Sequence, residues 1–253
     1  MLKTKHKTRL LQLFYLLGSL YLIVVAPQQI LLGLVAYVFL ETFAGNIGLH
    51  RYFGHRSFHC KPWVHNFLLF LGHYIGVGSV LSWVGQHRYH HMHSDTPEDV
   101  HSPYFQGLKT IFFGQWSLQV KPSSIKELTK DKTLVFWHRN YFKFHALIVL
   151  FWIAVDNFLG TYYLLTFYCF PNLMCLFSGY VLAVITHWHG YRTYETNDRS
   201  TNSWIANILT LGEGWHNNHH ANPQRLFQGE KWYEWDLPAL VIKYLLATKK
   251  QTL

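Results

Sequence analysis

The stretch that decides the fold is ILLGLVAYVFLETFAGNIGLHRYFGH, residues 30–55, in which an apolar run leads directly into two histidines. The run from Ile30 to Leu49 is close to the roughly 20 residues that a helix needs to cross a bilayer. It is followed by His50 and, five residues later, by His55. Because a spacing of five does not share a face of an α-helix, we expect His50 to end the span and His55 to follow a break at Gly54.

Three further apolar runs lie at residues 10–26, 141–159 and 162–186. Of the 253 residues, 50% are hydrophobic and only 14% are charged, a balance that favours a bilayer environment. Short connections separate the first run from the second and the third from the fourth, so each pair predicts a helical hairpin. We therefore expect an all-α integral membrane fold with four transmembrane helices in two hairpins and a cytosolic helical cap. No linker or internal repeat divides the chain, which predicts a single domain over residues 1–253.

The basic residues predict the orientation of these spans. Four cations precede the first run, namely Lys3, Lys5, Lys7 and Arg9, whereas neither hairpin turn contains Lys or Arg. The excess of cations on cytosolic segments then predicts a multi-pass protein with both termini and the active site in the cytosol. The formal net charge is +9, but the cations flank apolar runs and form no separate basic face. We expect them to contact anionic lipid headgroups and no nucleic acid.

Two pieces of the long segment between the predicted hairpins are rich in apolar side chains. Residues 66–83 are apolar but interrupted by glycines, which favours a position along the membrane surface. Residues 107–120 mix aromatic side chains with Lys109 and two glutamines, as an interfacial helix does. A buried helix of a soluble type explains this second piece equally well.

Histidine is strongly enriched, with 18 in the chain, and eight of them fall into three tight clusters. The second and third clusters share the spacing His, two residues, His, His, which on a helix projects imidazoles towards one side. The clusters consist of His50 and His55, then His87, His90 and His91, then His216, His219 and His220. The three cysteines form no CxxC pair, so thiolates do not compete as ligands. Imidazole suits iron, zinc or copper, and eight imidazoles exceed what one zinc ion needs, so we expect two metals.

Other polar residues have both a functional and an ordinary interpretation. We expect the isolated His6, His59, His65, His138 and His145 to be structural. Carboxylates near the clusters are candidates to orient the ligands through hydrogen bonds, or are solvated loop charges; these are Asp95, Glu98, Asp99 and Glu213. Glu41 lies inside the second run, where an acid is costly and often functional, unless it reaches the membrane surface. Trp83 could line a substrate path or anchor the chain at the interface.

The three clusters, their order and their placement relative to the spans resemble the membrane fatty-acid desaturases. The stretches at residues 190–194 and 212–220 resemble those of the Δ9 acyl desaturases, the stearoyl-CoA-like branch. This resemblance implies an O2-dependent enzyme that introduces a cis double bond into a long saturated acyl chain. It also implies two iron ions and a ninth ligand, His187, with His189 ranked second. The ligands are then His50, His55, His87, His90, His91, His187, His216, His219 and His220.

The resemblance also bears on the partners of the enzyme. Animal relatives place an Arg-Asp pair, directed to the CoA headgroup, where this chain has Gly85 and Gln86. Both an acyl-CoA and an acyl-lipid substrate therefore remain open. The sequence shows no haem-binding region, Gly-rich dinucleotide motif or iron–sulfur cysteine set, so we expect an external electron donor. The resemblance implies ferredoxin, or cytochrome b5 with a reductase.

Two other functions use a similar set of histidines. A lipid hydroxylase or ketolase can be built on the same di-iron scaffold, and the histidine spacing alone does not separate it from a desaturase. A membrane metal transporter also binds metals through histidines. Transport predicts polar ligands within the spans, whereas the clusters here lie outside the apolar runs or at their ends, so we consider a transporter the weaker alternative.

Overall fold

The computed structural model describes residues 4–99, 101–113 and 122–248, and within these ranges the regular structure is helical apart from isolated β-bridges. The α-helices are α1 (Thr4–Val25), α2 (Ile30–Leu40), α3 (Pro62–Tyr74), α4 (Val80–His93), α5 (Gly107–Phe113), α6 (Lys132–Arg139), α7 (Tyr141–Leu159), α8 (Phe170–Trp188), α9 (Trp204–Leu209), α10 (His216–Ala221) and α11 (Leu237–Val241). Three π-helical segments, in which an N–H group bonds to the carbonyl five residues earlier, cover Glu41–Gly54, Leu164–Cys169 and Ile242–Leu246. Short 3-10 turns lie at Pro27–Gln29, Pro122–Ile125 and Leu128–Lys130.

Four helical stretches are long and apolar enough to cross a membrane, namely His6–Val25, Pro27–Gly54, Tyr141–Leu159 and Leu164–Trp188. They confirm the four predicted apolar helices, and the second one continues beyond its predicted end. Along α7 the large apolar side chains of Leu147, Leu150 and Phe158 are exposed on the protein surface. Such exposure is expected of a helix that packs against lipid rather than water.

Local capping explains why the chain turns between the third and fourth stretches. Gly160 has a positive φ of 63° and donates its N–H to the carbonyl of Asp156 at 2.8 Å, which closes α7. The Asp156 carboxylate then accepts the N–H groups of Tyr163 at 2.6 Å and Leu164 at 3.0 Å. The same side chain therefore satisfies unpaired N–H groups at the start of the next helical stretch.

The second helical stretch continues past its predicted end at His50 and ends at Gly54. From Glu41 to Gly54 the helix is π-helical, and His55 donates its N–H to the carbonyl of His50 at 3.0 Å. A π-helix brings residues five apart onto one face, unlike an α-helix. The ring centroids of His50 and His55 are therefore only 5.0 Å apart. The prediction that His50 ends the span was wrong because it assumed α-helical geometry, whereas the helix does end at Gly54, directly before His55, as predicted.

Close packing between helices positions the histidine-bearing ends. A Cβ atom on Gly33 of α2 would lie 2.8 Å from Phe170 of α8, so these two helices approach closely only because glycine stands there. Gly72 of α3 likewise lies against Leu49 and Val80. The second and fourth spanning stretches thus run side by side, with α3 and α4 packed next to the π-helical end of the second.

Two pieces between the second and third spanning stretches stand out in the sequence. Residues 66–83 contain the end of α3 at Tyr74, a glycine-containing loop and the start of α4 at Val80. Of residues 107–120, the first seven form α5, in which Ile111 is fully buried. The remainder of that predicted helix lies outside the described residues. Burial of Ile111 favours the buried interpretation for the part that is described.

Candidate metal centre

All nine histidines predicted as ligands lie in two compact groups. The first group consists of His50, His55, His87, His91 and His219, and the second consists of His90, His187, His216 and His220. Within each group one nitrogen atom per side chain can be chosen so that all lie within 4.8 Å of one another. This distance is what a single bound ion with several imidazole ligands requires, so each group could hold one metal ion.

The repeated spacing of the second and third clusters divides each helix between the two groups. In α4, His87 and His91 are four residues apart and both belong to the first group, while His90 belongs to the second. In α10 the assignment is reversed, because His216 and His220 belong to the second group. Each helix therefore contributes an i, i+4 pair to one group and its remaining histidine to the other.

The ring nitrogens converge as they would around a cation. In the first group, the Nε2 atom of His55 lies 2.7 Å from that of His87, and the Nε2 atom of His219 lies 3.0 Å from those of both His50 and His91. In the second group, the Nε2 atoms of His187 and His220 are buried and have no hydrogen-bond partner among the residues that the structure describes. Buried nitrogens without partners are costly, and a bound metal ion would satisfy them. The donor set thus fits two metal ions.

Carboxylates fix the orientation of these imidazoles through their Nδ1 atoms. In the second group, His90 donates to Asp99 at 2.9 Å, His187 to Asp95 at 2.7 Å and His220 to Asp198 at 2.5 Å. In the first group, an oxygen of Glu213 lies 2.6 Å from Nδ1 of His50. A proton on Nδ1 leaves the lone pair of Nε2 free to point into the group, which is the arrangement that metal-binding histidines use.

Burial and neighbouring charges keep these groups in the required protonation states. Burial acts to raise the pKa of Asp99, but the charge and hydrogen bond of His90 bring that pKa below its usual value. The pKa of Asp198 is lowered in the same way by His220, against the effect of burial. Burial, followed by repulsion from neighbouring imidazoles, lowers the pKa of His87 and of His219. The carboxylates of Asp99 and Asp198 therefore stay ionised near neutral pH, and the imidazoles of His87 and His219 stay neutral, as metal ligation requires.

Arg51 connects the first histidine group to Asp236, which directly precedes α11. Its guanidinium is buried and pairs with Asp236 at 2.7 Å and with Glu213 at 3.3 Å. Glu213 thus lies between Arg51 and His50. The positive charge of Arg51 compensates the buried negative charges of Glu213 and Asp236. Removal of one member of such a buried ion pair strongly destabilises a protein, because the remaining charge is left buried without a partner.

Replacing Arg51 by methionine is expected to lower the stability of the folded protein by about 3–5 kcal/mol, because Glu213 and Asp236 would remain buried without a counter-ion. The measurement is the thermal midpoint of the detergent-solubilised protein. Arg56→Met is the matched control, since Arg56 pairs with Glu127 at 3.2 Å with an exposed side chain. An exposed pair contributes less than about 1 kcal/mol. Equal midpoints for the two variants would contradict this prediction.

A cavity leads away from the two groups between the second and fourth spanning stretches. Near the groups it is lined by His50, His87, His90, His187 and His216. Farther along the helices it is lined by Leu49, Leu176, Gly179 and finally by Glu41 and Cys175. Trp83 also lines it and stacks on His87 with ring centroids 4.7 Å apart. The cavity is therefore a narrow, mostly apolar space that begins at the candidate metal centre.

Several predicted residues lie elsewhere. Among the described residues, none of His6, His59, His65, His138 and His145 belongs to either group, and His189 is exposed. Glu98 approaches His93 only at 3.9 Å and contacts no grouped histidine within ion-pair distance. Asp95, Asp99 and Glu213 do contact grouped histidines, as predicted. Sequence reasoning missed Asp198, Asp236 and the role of Arg51, because nothing in their spacing links them to a histidine cluster.

Comparison with known proteins places this arrangement in context. A family model described as fatty acid desaturase matches residues 22–241. A sn-1 stearoyl-lipid 9-desaturase of Anabaena variabilis is 32% identical over 81% of this chain and 79% of its own length. A protein of the same name from Synechocystis sp. (strain ATCC 27184 / PCC 6803 / Kazusa) is also 32% identical, over 85% of this chain and 68% of its own length. Delta-9 acyl-lipid desaturase 1 of Arabidopsis thaliana is 30% identical over 79% of this chain and 66% of its own length.

Proposed function

Because this chain belongs to the fatty acid desaturase family and is a fatty-acyl desaturase of the membrane, we propose that it introduces a cis double bond at the Δ9 position of a long saturated acyl chain carried by a membrane lipid. The observation that carries the proposal is the pair of histidine groups at the head of an apolar cavity. The names of the Anabaena and Synechocystis relatives, both stearoyl-lipid 9-desaturases, support the Δ9 position and the lipid carrier. A saturated C16 or C18 chain is the substrate that we propose.

The proposed cofactor is a pair of iron ions, one in each histidine group. Iron suits an all-imidazole donor set, and the nine grouped histidines would serve as its ligands. When bound, two iron ions supply the oxidising chemistry that removes two hydrogens from unactivated methylene groups, with O2 as the terminal oxidant. Asp95, Asp99 and Asp198 keep the imidazole rings aligned, each through an Nδ1 proton.

The contribution of the protein is to position the acyl chain and to exclude water. Leu49, Leu176 and Trp83 give the cavity apolar walls next to the histidines. An acyl chain in contact with these walls would bury its methylene groups, each worth about 0.8 kcal/mol. The same walls keep bulk water from the site, which protects reactive species from side reactions.

Electrons must come from a separate carrier in this proposal. Reduction of O2 to two waters while the acyl chain loses two hydrogens needs two further electrons and two protons. We propose ferredoxin, or cytochrome b5 with its reductase, as the donor. The formal net charge of +9 suits an acidic carrier. We also propose that both termini and the metal centre face the cytosol, because basic residues precede the first span and the two short connections between paired spans carry none.

Expression of this chain in a desaturase-deficient host tests the proposal. We expect a new monoenoic acid whose double bond lies at Δ9, as determined by gas chromatography and mass spectrometry of total fatty acids. Isolated membranes are then supplied with either a preformed stearoyl glycerolipid or stearoyl-CoA, together with reduced ferredoxin. Product from the glycerolipid alone supports a lipid carrier, whereas product from stearoyl-CoA alone refutes it. A hydroxylated lipid in place of the alkene would refute desaturation.

A further inference from the structure

Glu41 is a buried acid that the metal centre does not use. It lies in the second spanning stretch with only 7% of its surface exposed. The hydroxyl of Ser178, in the fourth stretch, donates a hydrogen bond to its Oε1 atom at 2.5 Å. An acid at such a position is expensive to maintain, and its presence usually indicates a function.

The Glu41–Ser178 bond crosses the gap between the two helices that enclose the cavity. Glu41 precedes His50 by nine residues, and Ser178 precedes His187 by nine residues. At the α-helical rise of about 1.5 Å per residue, Ser178 lies roughly 13 Å along α8 from His187. The two partners thus meet at the same depth below the candidate metal centre, where Glu41 is itself part of the cavity wall.

Two glycines show where the space is open and where it is filled. A Cβ atom added to Gly179 would meet nothing within 4 Å, so the cavity is open at that point of α8. A Cβ atom added to Gly45 would lie 3.4 Å from Oε2 of Glu41. The carboxyl group of Glu41 therefore lies directly beside Gly45. One turn beyond the open point at Gly179, Cys175 and Glu41 are the last residues of the lining.

We propose that Glu41, held by Ser178, closes the cavity with a polar floor and thereby sets the longest acyl chain that the enzyme accepts. The inference rests on the proposed function, since it assumes that the cavity holds the methyl end of an acyl chain. A methyl group cannot hydrogen-bond to the carboxyl group. If a longer acyl chain extended past Glu41, the hydrogen bond between Glu41 and Ser178 would break. A buried polar group would then be left unpaired, which is unfavourable.

Replacing Glu41 by alanine removes the floor and is expected to admit longer chains. In a desaturase-deficient host fed saturated acids of increasing length, the ratio of monoenoic product two carbons longer than the preferred length to product of the preferred length should rise about tenfold. This is the factor expected for burying two further methylene groups. Glu41→Gln is the matched control, because its side chain has a similar size and still bonds to Ser178. Its ratio should equal that of the parent.

An unchanged ratio in Glu41→Ala, or an equal rise in Glu41→Gln, would overturn the proposal. If the alanine variant does not accumulate in the membrane, Glu41→Ser provides the same comparison, since it also shortens the side chain but keeps a hydroxyl group near Ser178. The parent protein gives a further test that needs no variant. A fixed floor predicts a steep fall in product once the chain exceeds one length, and a gradual decline would contradict it. Absence of any monoenoic acid from the parent would instead refute the proposed function.

Discussion

The double variant His90→Ala, His219→Ala is expected to bind neither metal ion tightly and to make no detectable monoenoic acid. His219 belongs to the first histidine group and His90 to the second, so the variant removes one proposed ligand from each. Loss of a residue that only orients a ligand typically costs 10- to 100-fold in metal affinity or activity. Loss of the ligands themselves should therefore lower product by more than about 100-fold. Metal content by mass spectrometry and fatty-acid analysis of the host measure the two effects.

A matched control distinguishes loss of ligands from loss of histidine in general. His6 and His59 are exposed and belong to neither group. The variant His6→Ala, His59→Ala should keep the parental metal content and the parental product. If the first double variant retained two metal ions, or if both double variants lost activity equally, the proposed ligand set would be incorrect.

The second large effect is expected at Asp198, which lies far from every histidine cluster in the sequence. Replacing it by asparagine keeps the shape of the side chain but removes the charge that accepts the Nδ1 proton of His220. The imidazole then loses its fixed tautomer and part of its basicity as a ligand. We expect a fall of about 10- to 100-fold in metal affinity, measured by competition with a chelator, and a parallel fall in desaturation.

Glu98→Gln is the control for the Asp198 variant. Glu98 lies between Asp95 and Asp99 in the sequence, yet the histidine that it approaches is His93, at 3.9 Å, outside both groups. This variant should leave chelator competition and product unchanged. Similar losses for the two substitutions would show that removal of negative charge, rather than the contact with His220, determines metal binding.

Eight of the nine grouped histidines could be predicted from their clustering in the sequence, and His187 from the family resemblance, but their division between two groups could not. The spacing of His87, His90 and His91 places three rings near one side of a helix, and it does not say which ring faces which group. That depends on how α4 and α10 are rotated relative to each other in the folded protein. Rotation of this kind is a property of tertiary contacts and leaves no trace in the spacing of one cluster.

Two local features were also beyond the sequence pattern. The π-helical hydrogen bonding between Glu41 and Gly54 has no signature in hydrophobic periodicity, so the five-residue spacing of His50 and His55 predicts an end of the span at His50, whereas the helix continues to Gly54. Arg51 appeared to be one of many basic residues near a membrane surface. Its burial between Glu213 and Asp236 depends on residues more than a hundred positions away along the chain.

If each histidine group holds one ion as proposed, the shared use of α4 and α10 would couple the loading of the two sites. Each helix supplies histidines to both groups. When a first ion orders one helix, the remaining histidine of that helix is therefore also positioned for the second ion. Part of the entropy cost of organising the second site is then met when the first is filled, which is positive cooperativity in the thermodynamic sense. Protein carrying a single ion should accordingly be scarce during maturation, and a chain that loses one ion should tend to lose the other.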